Sequence, residues 1–392
     1  MNAAQRMALQ YVWLFGATGV SLPFAGLWLR AHGLSGAQIG VVLAAPMLAR
    51  IVTGPLLAVW ADGFRMRRTP IALLGLVMAL GYGMAGLADG YAPRAIGWFI
   101  GATAMGVLVP LTDVMTLRLS ARLGFTFAVP RGTGSAAFVV ANVVMGALLL
   151  TAPVDSVIVW VVLASLGFAV GALAILPPEP VADGAPALGR ERFRGLGRLL
   201  RDPVFLTTIF AVGAVQAAHA FQYGFSALLW KAQGVSEAVT GQLWAFGVVA
   251  EIALMWWFEP WRRRAGIGPW SLLMVGSAAA VLRWGVMALA PPLWLLWPLQ
   301  ALHALTFAAT FLAGVQLVER LSPPDTHTAA QMLSSVLSAG VLIGLATAVS
   351  GPLYDRFGAG GYWAMAALAG AGLLAAIPLR GQLARDRGRG ER

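Results

Sequence analysis

Phe24 to Gly40 reads FAGLWLRAHGLSGAQIG, and 201 residues later Phe225 to Gly241 reads FSALLWKAQGVSEAVTG. Phe, Leu, a basic residue, Ala, Gly, Ser and the closing Gly coincide. A long, weak internal match of this kind is the trace expected of two six-helix bundles related by an axis along the membrane normal. The same offset carries Arg50, on the second predicted helix, onto Glu251 on the eighth. Each half therefore sets a charge at the same depth.

Around these copies the sequence belongs to a bilayer. Of 392 residues, 59% are hydrophobic and 11% charged, outside the range of soluble globular chains. Apolar stretches recur along the whole length, each long enough to cross a hydrocarbon core of about 30 Å as a helix. Twelve are predicted, at about 8–29, 37–60, 70–89, 95–119, 131–151, 155–176, 203–229, 237–258, 267–290, 292–319, 328–351 and 362–379, and nothing is left over for a soluble domain. The first ends in GLWLRAHG, not in a small-residue cleavage site, so it reads as a retained helix rather than a signal peptide.

The net charge of +11 is distributed as the positive-inside rule requires, with no gathering of basic and base-stacking residues suited to nucleic acid. Of the 27 Lys and Arg, 21 fall on the side of the N-terminus, four on the other side (Arg30, Arg94, Lys231, Arg356) and two within helices (Arg50, Arg283). Both termini are thus expected in the cytoplasm, and the chain is expected as a multi-pass protein of a bacterial cytoplasmic (inner) membrane. With no Cys, thiolate metal sites and disulfides are excluded. The single lysine, Lys231, precedes Ala232, so no GxxxxGK[ST] loop exists to cradle ATP. His32, His219, His303 and His327 form no HExxH pair, and no GxSxG elbow occurs, which argues against a membrane-embedded hydrolase. No cofactor is called for.

One long polar interruption, Pro177 to Pro203, carries five arginines. It divides the chain into a first bundle, 1–176, a cytoplasmic linker, 177–202, and a second bundle, 203–392, with a basic C-terminal tail. The linker starts irregularly at its Pro and Gly residues, and Arg190 to Arg201 is suited either to a basic amphipathic helix on the inner leaflet or to disorder.

Function should concentrate in the embedded polar residues, because a charge at the bilayer centre costs about 2.5–3.5 kcal/mol even on translocon scales and seeks protein or water. Four charges qualify: Arg50, Asp113, Glu251 and Arg283. Two readings are open. They form buried ion pairs that hold helices in register, or Glu251 and Asp113 carry protons, Glu251 the favoured one, with Arg283 and Arg50 as switchable partners or as the clamp on an anionic substrate. Gln216, His219, Gln222, Tyr223 and Ser226 fall on one face of the seventh predicted helix. Gln300, His303, Thr306 and Thr310 repeat the device on the tenth. His219 and His303 are candidates for proton coupling or for hydrogen-bonded core positions. Thr103, Pro110, Asp113 and Thr116 share a face of the fourth helix, where Pro110 bends it beside the carboxylate. Trp13, Trp28, Tyr223 and Trp244 fall on faces suited to a cavity wall or to helix packing.

With these residues in view, the chain resembles the 3-phenylpropionate permease branch of the major facilitator superfamily, related to lactose and nucleoside proton symporters. The likeness rests on LPFAGLWLRAHGLSGAQIG, LARIVTGPLL around Arg50, VPLTD ending at Asp113, QAAHAFQYGFSALLW, WAFGVVAE ending at Glu251, LRWGVMA and LQALHALTF. The resemblance implies an all-α fold of twelve transmembrane helices in two pseudo-symmetric bundles. It also implies proton-coupled uptake of a small organic acid such as an aromatic propionate, with no catalytic residues. The superfamily's cytoplasmic gate loop is matched in part by AVWADGFRMRR, with Asp62, Arg65, Arg67 and Arg68 in place but Ala58 where a Gly is usual, and GPLYDRFG from Gly351 is similar to the related turn. Outward proton/drug exchange, a nucleoside or sugar symporter and a non-transporting sensor remain as alternatives. Two arginines balanced against two acids suit an anion or neutral solute better than a cationic drug. The expected partners are a small-molecule substrate, protons and the lipid bilayer, with the chain acting as a monomer.

Overall fold

The computed structural model describes residues 1–181, 196–323 and 326–382. Among them there is no strand, only one isolated bridge between Met66 and Pro180. The helices are α1 (Ala3–Ala31), α2 (Gly36–Asp62), α3 (Arg68–Leu87), α4 (Tyr91–Leu123), α5 (Ala128–Leu148) and α6 (Ser156–Ala174), then the single turn α7 (Leu196–Leu199). There follow α8 (Pro203–Ala217), α9 (Ala220–Ala232), α10 (Glu237–Ala253), α11 (Glu259–Arg264), α12 (Pro269–Met287), α13 (Leu293–Ala301), α14 (Thr310–Leu321), α15 (His327–Ser335), α16 (Ile343–Phe357) and α17 (Tyr362–Ala376).

Eleven helical segments among the described residues are long and apolar enough to cross a membrane. The last, Ala329–Gln382, covers two predicted spans. A 3-10 turn at Gly358–Gly361, entered through Gly358 at φ +53, separates α16 from α17 inside it. The first half of the expected linker helix, 190–195, and the basic tail beyond residue 382 lie outside the described residues.

Local chemistry explains the boundaries. Asn2 with Gln5 and Ser35 with Gln38 form capping boxes that satisfy the first amides of α1 and α2. Asp202 caps α8 directly before Pro203, whose missing N–H is no loss at that position. The internal repeat is written into the backbone. Gly33 and Gly234 adopt φ of +80 and +81, a left-handed geometry that glycine takes without a Cβ clash. The bonds that close the two turns correspond one for one: Gly33 N–H to Arg30 O and Leu34 N–H to Leu29 O, against Gly234 N–H to Lys231 O and Val235 N–H to Trp230 O.

Contacts group the chain into two compact units, Met1–Ala187 with Tyr223–Ala245, and Leu188–Gln222 with Phe246–Arg392. The first is built on α1, which packs on α5 and α6, and on α3 packed between α4 and α6. Its Tyr223–Ala245 hairpin comes so close that a Cβ on Gly26 would meet the Gly224 carbonyl and one on Gly241 the Asn142 carbonyl. The second unit packs α8, α12, α14 and α17 around a core that includes Ala211, Leu272, Leu273, Ala309 and Leu317.

Four helical segments of the second unit lose α regularity: one has a π turn at Val336–Leu342, between α15 and α16, and the other three do so beside embedded polar residues. The seventh predicted helix breaks at Ala218–His219, between α8 and α9. A π turn, Leu254–Phe258, begins three residues after Glu251, and another, Ala304–Ala309, begins directly after His303. Such turns mark functional places more often than plain helix does.

Candidate functional site

In the second unit, α9, α10, α12, α13, the break before α9 and the π turn after His303 bring Glu251, Arg283, Gln300, His303, Thr306, His219 and Gln222 into one hydrogen-bonded chain. Arg283 lies at its centre and is fully buried. Its Nη1 donates to His303 Nδ1 and Thr306 Oγ1, each at 2.9 Å, and its Nη2 donates to Gln222 Oε1 at 2.9 Å and Gln300 Oε1 at 2.7 Å. Four terminal N–H bonds thus meet four neutral acceptors, and the indole of Trp284 lies 4.4 Å from the guanidinium carbon. The counter-charge is one residue further along, where His303 Nε2 lies 2.9 Å from Glu251 Oε1.

These partners assign the protons. A guanidinium only donates, so His303 Nδ1 must accept, and the single ring proton of His303 sits on Nε2 and points to the Glu251 carboxylate. His219 has the opposite tautomer. Its Nδ1 lies 3.1 Å from both the Val215 and Gln216 carbonyls and therefore carries the proton. Its Nε2, 3.0 Å from Thr306 Oγ1, accepts the threonine hydroxyl. Both histidines are neutral in this arrangement, and the chain from Glu251 to Arg283 sums to zero charge. Gln216 closes the far end, donating to Thr310 Oγ1 at 2.6 Å and Phe307 O at 2.9 Å. Gly247, one turn before Glu251, leaves room for His303, whose Cβ would lie 3.6 Å from a Cβ there.

The first unit holds a second constellation. Tyr11 Oη donates to Asp113 Oδ1 at 2.5 Å, and Arg131 Nε lies 3.4 Å from the same oxygen. The Arg131 guanidinium stands 4.3 Å from the Phe15 ring centroid. Asp113 therefore pairs with Arg131, at the start of α5, and not with Arg50. Sequence position makes Arg131 a flanking charge, the first residue of the fifth predicted helix, whereas the structure begins α5 three residues earlier at Ala128. Arg50 is exposed on α2 and has no hydrogen bond or ion pair among the described residues.

The predicted stripe on the seventh helix is divided by its break. Gln216, His219 and Gln222 join the Arg283 chain, whereas Tyr223 and Ser226 face Trp244 in the first unit, with Trp244 Nε1 donating to Ser226 Oγ at 3.1 Å. Trp28 makes its contacts with other groups. It donates to Asp155 Oδ1 at 2.9 Å and packs against Trp98, His32 and the buried Arg94. Trp13 packs on Gly167 of α6.

At the gate loop, Arg67 Nη1 lies 3.8 Å from Asp62. The loop is tied to the segment after α6: Arg67 N–H donates to Glu179 O and Val181 N–H to Arg65 O, Arg68 reaches Leu176 O at 3.5 Å, and Glu179 pairs with Arg122 at 2.6 Å. Burial, and then the nearby Arg118, hold the Arg67 guanidinium below its usual range, against the pull of Asp62 and Glu179. In the second unit Glu259 binds Arg262 twice and Arg263 once, each at 2.7 Å, a cluster not anticipated from sequence.

The chain is similar to known transporters along nearly its whole length. Residues 4–365 match the MFS_1-like family. A probable 3-phenylpropionic acid transporter of Escherichia coli K12 is 28% identical over 94% of this chain and 96% of its own. The maltose permease of Geobacillus stearothermophilus is 26% identical over 89% and 87%. The crystal structure of the nucleoside transporter NupG shares the fold at a TM-score of 0.81 and 18% identity, covering 97% of this chain and 99% of that one. The chain thus belongs to the MFS_1-like family, and is a multi-pass secondary transporter rather than an enzyme.

Proposed function

We propose that the protein takes up a small organic acid, such as an aromatic propionate, together with protons across a bacterial cytoplasmic membrane. In this reading the two halves, 1–176 and 203–392, are six-helix bundles, α15–α16 and α17 count as separate spans, both termini are cytoplasmic, and the protein works by alternating access.

The Glu251–His303–Arg283 chain is the main support for this reading. Its histidine nitrogens are committed, Nδ1 to Arg283 and Nε2–H to Glu251, so an incoming proton is taken by the carboxylate. Protonation removes the counter-charge of a buried guanidinium. The site then carries one positive charge, and a carboxylate substrate restores neutrality. Proton first and anion second, about one of each, follows from that charge balance. A buried guanidinium that loses its counter-charge on protonation disfavours a cationic drug as cargo.

The test is uptake of radiolabelled 3-phenylpropionate into proteoliposomes under an inward proton gradient. Wild type is expected to accumulate the acid and Glu251→Gln to exchange it without accumulation. Wild-type uptake that is indifferent to the gradient refutes proton coupling.

A further inference from the structure

We infer that the amides of Gln300 and Gln222 select an acceptor-only headgroup, a carboxylate, and reject hydroxyl-bearing solutes such as sugars and nucleosides. The inference rests on the reading of the Arg283 chain as the substrate site and deepens it by naming the residues that set specificity.

Donors outnumber acceptors in this cluster. Arg283 orients both amides, because a guanidinium facing an amide group must meet its oxygen. Gln222 Oε1 and Gln300 Oε1 each receive an Arg283 N–H, and Gln300 Oε1 receives Gln222 Nε2 as well, at 3.2 Å. Thr306 Oγ1 accepts from Arg283 and gives its hydrogen to His219, His303 Nδ1 accepts from Arg283, and Glu251 Oε1 accepts from His303. Each acceptor atom of the cluster already receives a hydrogen, with Glu251 Oε2 as the exception, and in the proton-loaded state that oxygen becomes a donor too.

Donors remain. Gln300 is 1% exposed, yet its Nε2 is a buried nitrogen without a hydrogen-bond partner among the described residues. Gln222 Nε2 makes one hydrogen bond and holds a second N–H. A buried donor without an acceptor costs about as much as a lost hydrogen bond, so the cluster is short of an acceptor. A carboxylate supplies acceptors only. A sugar or nucleoside hydroxyl brings a hydrogen of its own that must be accepted, and here it meets acceptors that are nearly all engaged already, so it is the poorer partner.

The experiment is equilibrium binding to the purified transporter in detergent at acidic pH with no gradient, using 3-phenylpropionate, 3-phenylpropan-1-ol, maltose and uridine. Wild type is expected to bind the acid about tenfold or more tightly than the alcohol, and neither maltose nor uridine comparably. Gln300→Glu keeps an oxygen for Arg283 but replaces the free N–H groups with a second oxygen. It is expected to lose about tenfold or more in acid affinity while changing alcohol affinity little. Equal binding of acid and alcohol by wild type, unchanged acid affinity in Gln300→Glu, or a preference for maltose or uridine overturns the inference. Selective acid binding without gradient-driven accumulation refutes proton coupling and leaves the selection intact. Gradient-driven accumulation of a hydroxyl solute does the reverse, and binding of none of the four refutes both.

Discussion

Replacing Arg283 with Met removes four charge-assisted donors of 2.7–2.9 Å and strands four buried acceptors together with the Glu251 carboxylate. One such bond is worth about 1.5–3 kcal/mol, but the four do not add, because the acceptors relax towards one another. Breaking a buried ionic contact from one side costs about 3–5 kcal/mol in all, and the lower half of that range applies because Glu251 keeps 20% of its side chain accessible. Adding Glu251→Gln removes the stranded charge, so the double variant is expected to recover about 1–3 kcal/mol relative to the sum of the singles. Reversible unfolding in mixed micelles, run on all four members of the cycle, measures this. Additivity within about 0.5 kcal/mol, or an Arg283→Met variant as stable as wild type, refutes the idea that Glu251 is the counter-charge of Arg283.

Two further outcomes rest on the same geometry. His303→Gln offers an amide N–H to Glu251 and a carbonyl to Arg283, so it is expected to keep coupled uptake and its pH profile, whereas His303→Leu loses both. A pH profile displaced in His303→Gln as far as in Glu251→Gln would make the histidine the proton carrier. Gly33→Ala and Gly234→Ala, at φ +80 and +81, are each expected to cost about 1–2 kcal/mol by the left-handed clash of a Cβ. Gly83→Ala, at a helical position with nothing within 4 Å, is expected to be neutral or stabilising. Unequal costs at the two repeat-related turns would contradict their structural equivalence.

How far these features can be read from sequence depends on whether a residue's role is local. The membrane character, the helix positions and the repeat are local, and the repeat reappears in the twin turns at Gly33 and Gly234. The second-unit cluster is also largely legible, because Gln216, His219, Gln222, Gln300, His303, Thr306 and Thr310 are polar in otherwise apolar helices. Pairing is not. Arg50 and Glu251 occupy equivalent positions, yet Glu251 enters a network while Arg50 pairs with no acid among the described residues, because the partner of Asp113 comes from α5. The division of the seventh-helix stripe is hidden for a different reason. The break falls in Gln216–Ala220, where no Pro or Gly announces it. The π turns after Glu251 and His303 are invisible because helices apolar on most faces give no phase from which a one-residue slip can be detected. Position alone leaves Trp28 open between a cavity wall and helix packing, and its actual contacts depend on Asp155, more than a hundred residues away.

Proton uptake on substrate binding is the decisive quantity for the coupling role of Glu251. Purified transporter in weakly buffered detergent solution, titrated with 3-phenylpropionate near neutral pH, is predicted to take up about one proton per acid bound, because the anion and the protonated Glu251 stabilise each other. Glu251→Gln is predicted to bind the acid with no proton uptake. Binding by wild type without a pH change, or the same uptake by Glu251→Gln, would contradict the assignment of Glu251 as the coupling carboxylate.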